Sequence, residues 1–263
     1  MIIINRKSTN PYFNIAAEEF LIKTLEEPCF MLWQNTSSVI VGKHQNPWRE
    51  VNMAFLAANN IPVIRRISGG GTVYQDLGNL NYSFIDMGKT ESLVNFQKYS
   101  KPILDLLQKL KVDAHLEGKS DLKIDGKKFS GNASHVYKNK ILHHGTLLFD
   151  SDLNLLNESI KIGKTYIKDK AVSSNRSVVT NISDHLTEPI SLLDFKEKLL
   201  QHIEMIFPEA KIISLTEEQE LQIEKLADDK YKSWEWNYGY SPKYDLFSQV
   251  IISGETVDFS IHI

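Results

Sequence analysis

RRISGGGTVYQDLGNLNY, residues 65–82, places two arginines and three consecutive glycines between two apolar runs. Each glycine costs roughly 0.5–1 kcal/mol relative to alanine, so three in a row imply a use for bare backbone. A turn is one use. A ligand cradle is another, because a chain without Cβ atoms can approach a phosphate and present successive amides to it. The local pattern leaves both open. Two familiar nucleotide loops fail on spacing. The sixth position counted from Gly69 is Tyr74, where a dinucleotide fingerprint needs glycine. Gly118-Lys119-Ser120 resembles the end of a Walker loop, but Asp113 occupies its first glycine position. Arg65 and Arg66 are strand neighbours, so only one of them should face a ligand. A surface salt bridge is the plainer alternative for each.

Working outward, IPVIRR leads into the glycines as a strand, and NLNYSFID (79–86) follows as another with period-2 alternation. Upstream, Ile2–Ile4 is a short strand and 14–27 an amphipathic helix, with Asn14 as N-cap and Pro28 as its stop. CFMLW (29–33) and SVIVG (38–42) read as a hairpin joined by QNTS, and 47–60 as one helix beginning at a proline. Downstream, 92–112 has helical spacing, with a break expected near Lys101 because of Pro102. Residues 115–150 read as a β-meander with hairpin turns at Asp125-Gly126 and Lys138–Lys140. Helices over 191–207 and 216–231 flank a strand in AKIISL. The pattern predicts an α+β chain, with mixed β-sheets flanked by helices.

Composition narrows the function classes. The 263 residues are 42% hydrophobic and 24% charged, as in a globular protein able to bury its own core. Thirty basic against thirty-three acidic residues leave a formal charge of -3, so no whole-chain footprint for nucleic acid is present. No apolar run approaches the roughly 18–20 residues of a membrane span. A single cysteine, Cys29, and a first segment unlike a signal peptide point to the cytoplasm.

The second unusual patch is DLKIDGKKFSGNA followed by HHGTLLF, within 121–149. Lys127 and Lys128 alternate, so one should face inward, where a lysine needs an anionic partner. Two solvated hairpin lysines are the alternative. His143 and His144 are ambiguous between core and site. The H-E-x-x-H spacing of zinc hydrolases is missing, and one remote cysteine supports neither a thiol nucleophile nor a zinc site.

Taken together, these stretches resemble the lipoate–protein ligase A family, of the biotin/lipoate ligase catalytic fold. The resemblance rests on 65–85 and 121–149, on SVVTNI (177–182), and on VGKHQNPWREVN (41–52) and SWEWNYGYSPKY (233–244). It implies an ATP-dependent ligase that converts lipoate to lipoyl-adenylate, with release of pyrophosphate, and transfers the lipoyl group to an acceptor lysine. ATP, Mg²⁺ and lipoate are then substrates or ligands, with no resident prosthetic group. Lipoyl domains of 2-oxoacid dehydrogenases and the glycine-cleavage H protein are the implied acceptors.

By position in the matching motifs, Lys128 is the implied catalytic residue, bridging lipoyl carbonyl and α-phosphate. Arg66, Gly70, Gly71, Thr72, Val73 and Tyr74 form the adenylate cradle with it. Ser130, His144 and Gly145 join Lys128 around the lipoyl group, and Asp121 is the implied Mg²⁺ ligand. Val39, Val73 and Leu147 are candidate walls of an apolar slot.

Octanoyl transferases of this fold rely on a nucleophilic cysteine, and Cys29 is not placed for that. Biotin ligases use a Gly-Arg-rich loop that is absent here. The resemblance assigns 1–245 to the catalytic domain, and 246–263 to the opening hairpin of an accessory domain that a separate chain could supply. It leaves as alternatives a transferase using only preformed lipoyl-adenylate and a non-catalytic binding module.

Overall fold

The computed structural model describes residues 1–88, 94–161, 166–252 and 255–263. The strands IIIN and CFMLW are apolar at almost every position, and both faces of their sheet are covered. Ile2, Ile4, Cys29, Met31 and Trp33 pack on one face with helix α1 (Pro11–Thr24). Ile3, Phe30 and Leu32 pack on the other face, with α4 (Phe96–Lys109) and α5 (Leu192–Ile206). The sheet has eight strands in the order β12-β1-β2-β6-β10-β9-β8-β7. These are β1 Ile2–Asn5, β2 Cys29–Trp33, β6 Asn79–Met87, β7 Ala114–Glu117, β8 Asp121–Ile124, β9 Lys127–Tyr137, β10 Lys140–Leu148 and β12 Lys211–Ile213. Its β12-β1-β2 edge is parallel and the remainder antiparallel, a mixed sheet.

A second sheet, β4-β3-β5, joins β3 (Ser38–Val41) in parallel to β4 (Val63–Arg65) and antiparallel to β5 (Val73–Gln75). A third sheet, β11-β13-β14, is formed by Tyr166–Asp169, Tyr244–Ile252 and Glu255–His262. The boundary expected after residue 245 therefore lies inside β13, which pairs with β11 from the preceding part of the chain. Among the described residues no helix is long and apolar enough to cross a membrane.

Several local expectations are corrected. CFMLW and SVIVG do not form a hairpin: QNTS carries the chain from the large sheet to the small one. Asn35, fully buried, makes that crossing by donating to Gln75 Oε1 (2.7 Å) and accepting from Asn14 Nδ2 (2.9 Å). Asn14 is thus an interior residue of α1, and Asn10 is the cap, accepting from the Tyr12 and Phe13 amides. Ten of the fourteen residues of α1 are buried, so it is not an amphipathic surface helix, and it ends at Thr24, before Pro28.

The single helix expected over 47–60 is two, α2 (Pro47–Glu50) and α3 (Met53–Ala58), because Asn52 caps a new turn at Phe55. α4 runs through Pro102 without the expected break. Burial of Tyr99, Ile103, Leu106 and Leu107 outweighs one missing backbone bond. Ser92 and Leu93, expected at its start, lie outside the described residues. The Asp125-Gly126 turn forms as expected, with positive φ at both residues (49° and 73°).

Candidate active site

The β4 strand delivers its two arginines to different places. Arg66 turns toward a cavity of about 450 Å³, which it lines with Gly70, Gly71, Thr72, Val73, Lys128, Asn132 and His144, among others. Arg65 turns away and is fully buried. Neither is a surface salt bridge.

Arg66 organises the glycine loop from beneath. Its Nη2 donates to Gly69 O (2.6 Å) and Gly71 O (2.7 Å), Nη1 to Ile40 O (3.1 Å) and Nε to Ser68 Oγ (2.9 Å). Burial lowers its pKa to about 10, with Glu18 opposing the shift, so the cation persists at neutral pH. Gly70 has φ +89°, a backbone that side chains rarely adopt. Its carbonyl rests against Gly42, where a Cβ would lie 2.1 Å away. Thr72 N donates to Ser174 Oγ (2.9 Å), and Tyr74 sits in the β5 ladder opposite Val39 with its ring buried. Gly70 to Val73 therefore line the cavity, whereas Tyr74 lines a smaller adjoining space of about 90 Å³.

The facing wall comes from the β8–β9 hairpin. Lys127 is exposed, and Lys128 points in to pair with Asp121 Oδ1 (2.9 Å). SVVTNI fixes the backbone there: Lys128 N donates to Val178 O (2.8 Å) and Thr180 N to Lys128 O (3.0 Å). Lys128 lines both spaces and so stands where they meet. Gly118-Lys119-Ser120 also lines the larger cavity, from the turn between β7 and β8 rather than a strand-to-helix Walker loop.

Alternation along β10 separates the histidines. His143 stacks on Tyr99 (5.0 Å between centroids) in the core, where burial drops its pKa to about 3. His144 lines the cavity, with Nδ1 donating to Glu18 (2.8 and 2.9 Å) and Nε2 meeting Ser68 Oγ (2.6 Å). Ser83 Oγ also donates to Glu18 (2.6 Å) and accepts from Trp33 Nε1 (2.9 Å).

Gly145 lines the same cavity, and Ser130 lines the smaller one. Val73 is a wall as expected. Val39 and Leu147 are core residues instead, and Ile15, Trp33 and Ile40 take their place. The sequence reading missed Trp33, Asn132 and Ser174, which line the cavity, and Glu18 and Gln45, which hydrogen-bond to His144 and Thr72 on its wall. Cys29 is buried in β2 with its thiol pushed up to about 12 by burial, so it is no nucleophile at neutral pH.

Mixed sheets flanked by helices enclose a cavity lined by Arg66, by Lys119, Lys123 and Lys128 and by the glycine loop, a wall suited to anionic groups. The chain belongs to the lipoyl protein ligase A/B catalytic-domain family, whose model matches residues 10–204. It is 44% identical over 247 residues to lipoate–protein ligase 1 of Staphylococcus aureus, covering 92% of this chain and 74% of that one. It is 40% identical over 253 residues to the lipoate–protein ligase LplJ of Bacillus subtilis, covering 94% and 76%. The fold matches the bipartite lipoate–protein ligase of Thermoplasma acidophilum, solved in a study of that ligase and its E2 lipoyl domain (TM-score 0.79, 24% identity, 91% and 96% coverage). It also matches lipoate–protein ligase A bound with ATP (TM-score 0.77, 24% identity, 91% and 98% coverage).

Proposed function

We propose that this enzyme is an ATP-dependent lipoate–protein ligase acting in two steps. Lipoate's carboxylate attacks the α-phosphorus of ATP, forming lipoyl-adenylate and releasing pyrophosphate. The ε-amine of an acceptor lysine then attacks the acyl carbonyl, and AMP leaves. The observation that carries this reading is that Arg66, Lys128 and His144 line one cavity.

A carboxylate approaching a phosphate is like charge meeting like charge. Arg66 and Lys128, both on the cavity wall, offset that repulsion more strongly than they would in bulk water. Lys128 lies between the two spaces, so it can hold carboxylate and phosphate oxygens together. Arg66 holds the glycine loop in the shape that presents its backbone to the adenylate. Ile15, Trp33 and Ile40 offer apolar walls for the acyl chain, with Glu18 and His144 as the polar group at that side.

Among the described residues no group of three or more His, Cys, Asp or Glu gathers to hold a metal. Asp121, on the wall of the larger cavity, would supply a carboxylate to Mg²⁺, with phosphate oxygens and water supplying the rest. The ion would neutralise phosphate charge when bound. The acceptors are lipoyl domains of 2-oxoacid dehydrogenases, the H protein being a second candidate, and the site of action is the cytoplasm. Residues 246–263 are the base of an accessory domain, in this chain or another; the exposed Phe259 and Ile261 of β14 support that reading.

Purified protein given lipoate, ATP and Mg²⁺ should release pyrophosphate and add one lipoyl group to a lipoyl domain, read by intact mass. Modification only from preformed lipoyl-adenylate would establish the transferase instead. Binding without either turnover would establish a sensor.

A further inference from the structure

A second buried cation stands one residue from the site arginine. Arg65 is fully buried, and among the described residues no carboxylate forms an ion pair with it. Its guanidinium is held by neutral oxygens: Nε donates to Trp236 O (2.9 Å), and Nη1 to Gln45 O (2.6 Å), Lys43 O (3.0 Å) and Gly42 O (3.2 Å). Nη2 donates to Asn237 O (2.8 Å) and Ser241 Oγ (3.1 Å). The main chain is gripped by the same partners. Arg65 N donates to Asn237 Oδ1 (2.9 Å), and Trp236 Nε1 donates to Arg65 O (2.7 Å). A desolvated charge held by dipoles and by the face of the Tyr240 ring (5.6 Å from Cζ to the centroid), with no counter-charge, is an expensive way to fill a core position. The arrangement calls for a function beyond packing.

What it joins is specific. Trp236 and Asn237 belong to the second of two π-helical turns, Ala227–Tyr231 and Glu235–Gly239, a backbone form concentrated at functional sites. The 42–45 turn is the support of the glycine loop. Gly42 meets Gly70 O, Lys43 N donates to Ser68 O (2.8 Å), and Gln45 Oε1 accepts from Thr72 Oγ1 (2.9 Å). The π-helical segment is itself anchored to α1, where Lys230 Nζ reaches Glu19 Oε2 (2.7 Å) and lies 3.8 Å over the Trp236 ring.

We infer that Arg65, Trp236 and Asn237 form a positioning clasp that fixes the Gly42–Gln45 turn and, through it, the Gly70–Thr72 adenylate cradle. None of the three touches the reacting atoms. Misplacing a cradle costs alignment of the phosphate with its attacking carboxylate. The clasp therefore acts on adenylate recognition and not on lipoate alone, and it rests on the ligase reading above.

The test uses the full chain with Arg65→Lys, which keeps the charge and loses the fork, and the milder Trp236→Phe, which removes the bond to Arg65 O and keeps the ring. Calorimetry measures lipoate and a non-hydrolysable lipoyl-sulfamoyl-adenosine separately, alongside pyrophosphate release and thermal midpoint. Arg65→Lys should weaken the adenylate analogue and lower kcat by roughly ten- to a hundredfold, Trp236→Phe by less, with lipoate affinity changed by no more than about twofold. If Arg65→Lys does not fold, Trp236→Phe decides. A lowered midpoint with both affinities unchanged, or equal losses for lipoate and analogue, overturns the clasp. Wild-type protein that binds the analogue but releases no pyrophosphate removes the ligase reading, and analogue affinity in the variants still decides the clasp.

Discussion

Two of the cavity's cations, Arg66 and Lys128, are held in opposite ways. Arg66 is 5% exposed and donates to three carbonyls and a hydroxyl, all neutral and all on its own side of the site. The Lys128 side chain is 22% exposed and is held by one carboxylate across the hairpin. The guanidinium fork is fixed before any ligand arrives. The ammonium, a point charge on a flexible stem, can exchange Asp121 for a phosphate or carboxylate oxygen without disturbing the fold. One half of the site is preorganised, and the other is free to close on the reacting atoms.

The largest effect should come from the adaptable half. Lys128→Ala removes the charge between carboxylate and phosphate, and ATP–pyrophosphate exchange should fall about 10²–10³-fold. The thermal midpoint should stay near wild type, since the side chain is half-buried. Arg66→Lys inverts that balance. It keeps a charge but leaves glycine-loop carbonyls without donors, costing about 1–3 kcal/mol of stability by chemical denaturation and roughly tenfold in exchange rate. A stable, fully active Arg66→Lys protein would break the distinction between the halves.

The neighbouring histidines sharpen it further. His143 has a pKa of about 3 in the fold and 6.5 as its ordinary value. Between those values the unfolded chain binds a proton that the folded one refuses, so stability falls as pH drops from about 6.5 toward 3. His143→Phe should flatten that slope in urea melts at pH 7 and pH 4.5, leaving exchange activity unchanged at pH 7. The smallest effect is expected at Cys29. A buried thiol pushed up to about 12 should resist iodoacetamide, and the treated enzyme should retain full activity.

What was legible in the sequence followed from period-2 alternation. It separated Arg65 from Arg66 and Lys127 from Lys128, each time sending one member to the cavity, whereas His143 and His144 stayed ambiguous until the resemblance pointed to His144. Turn chemistry likewise fixed the Asp125-Gly126 hairpin. The choice of which member faced in came from the family motifs, since alternation has no preferred sign. Features set by long-range contacts were not legible. QNTS changes sheets because Asn35 finds Gln75 forty residues away. Ser174 reaches the site through Thr72 and Glu50, more than a hundred residues distant. Glu18 lies on a helix expected to be amphipathic, but α1 is buried on nearly every side, and the Glu18 carboxylate becomes the partner of His144. A pair of acids inside an otherwise apolar helix was the available signal.

The most direct test of the two-cation account is ATP–pyrophosphate exchange with lipoate, run in parallel on wild type, Lys128→Ala and Arg66→Lys at matched folded concentration. The account predicts robust exchange in wild type, near-complete loss in Lys128→Ala with its midpoint preserved, and a partial loss in Arg66→Lys with its midpoint lowered. A Lys128→Ala protein that still forms lipoyl-adenylate at the wild-type rate would contradict it.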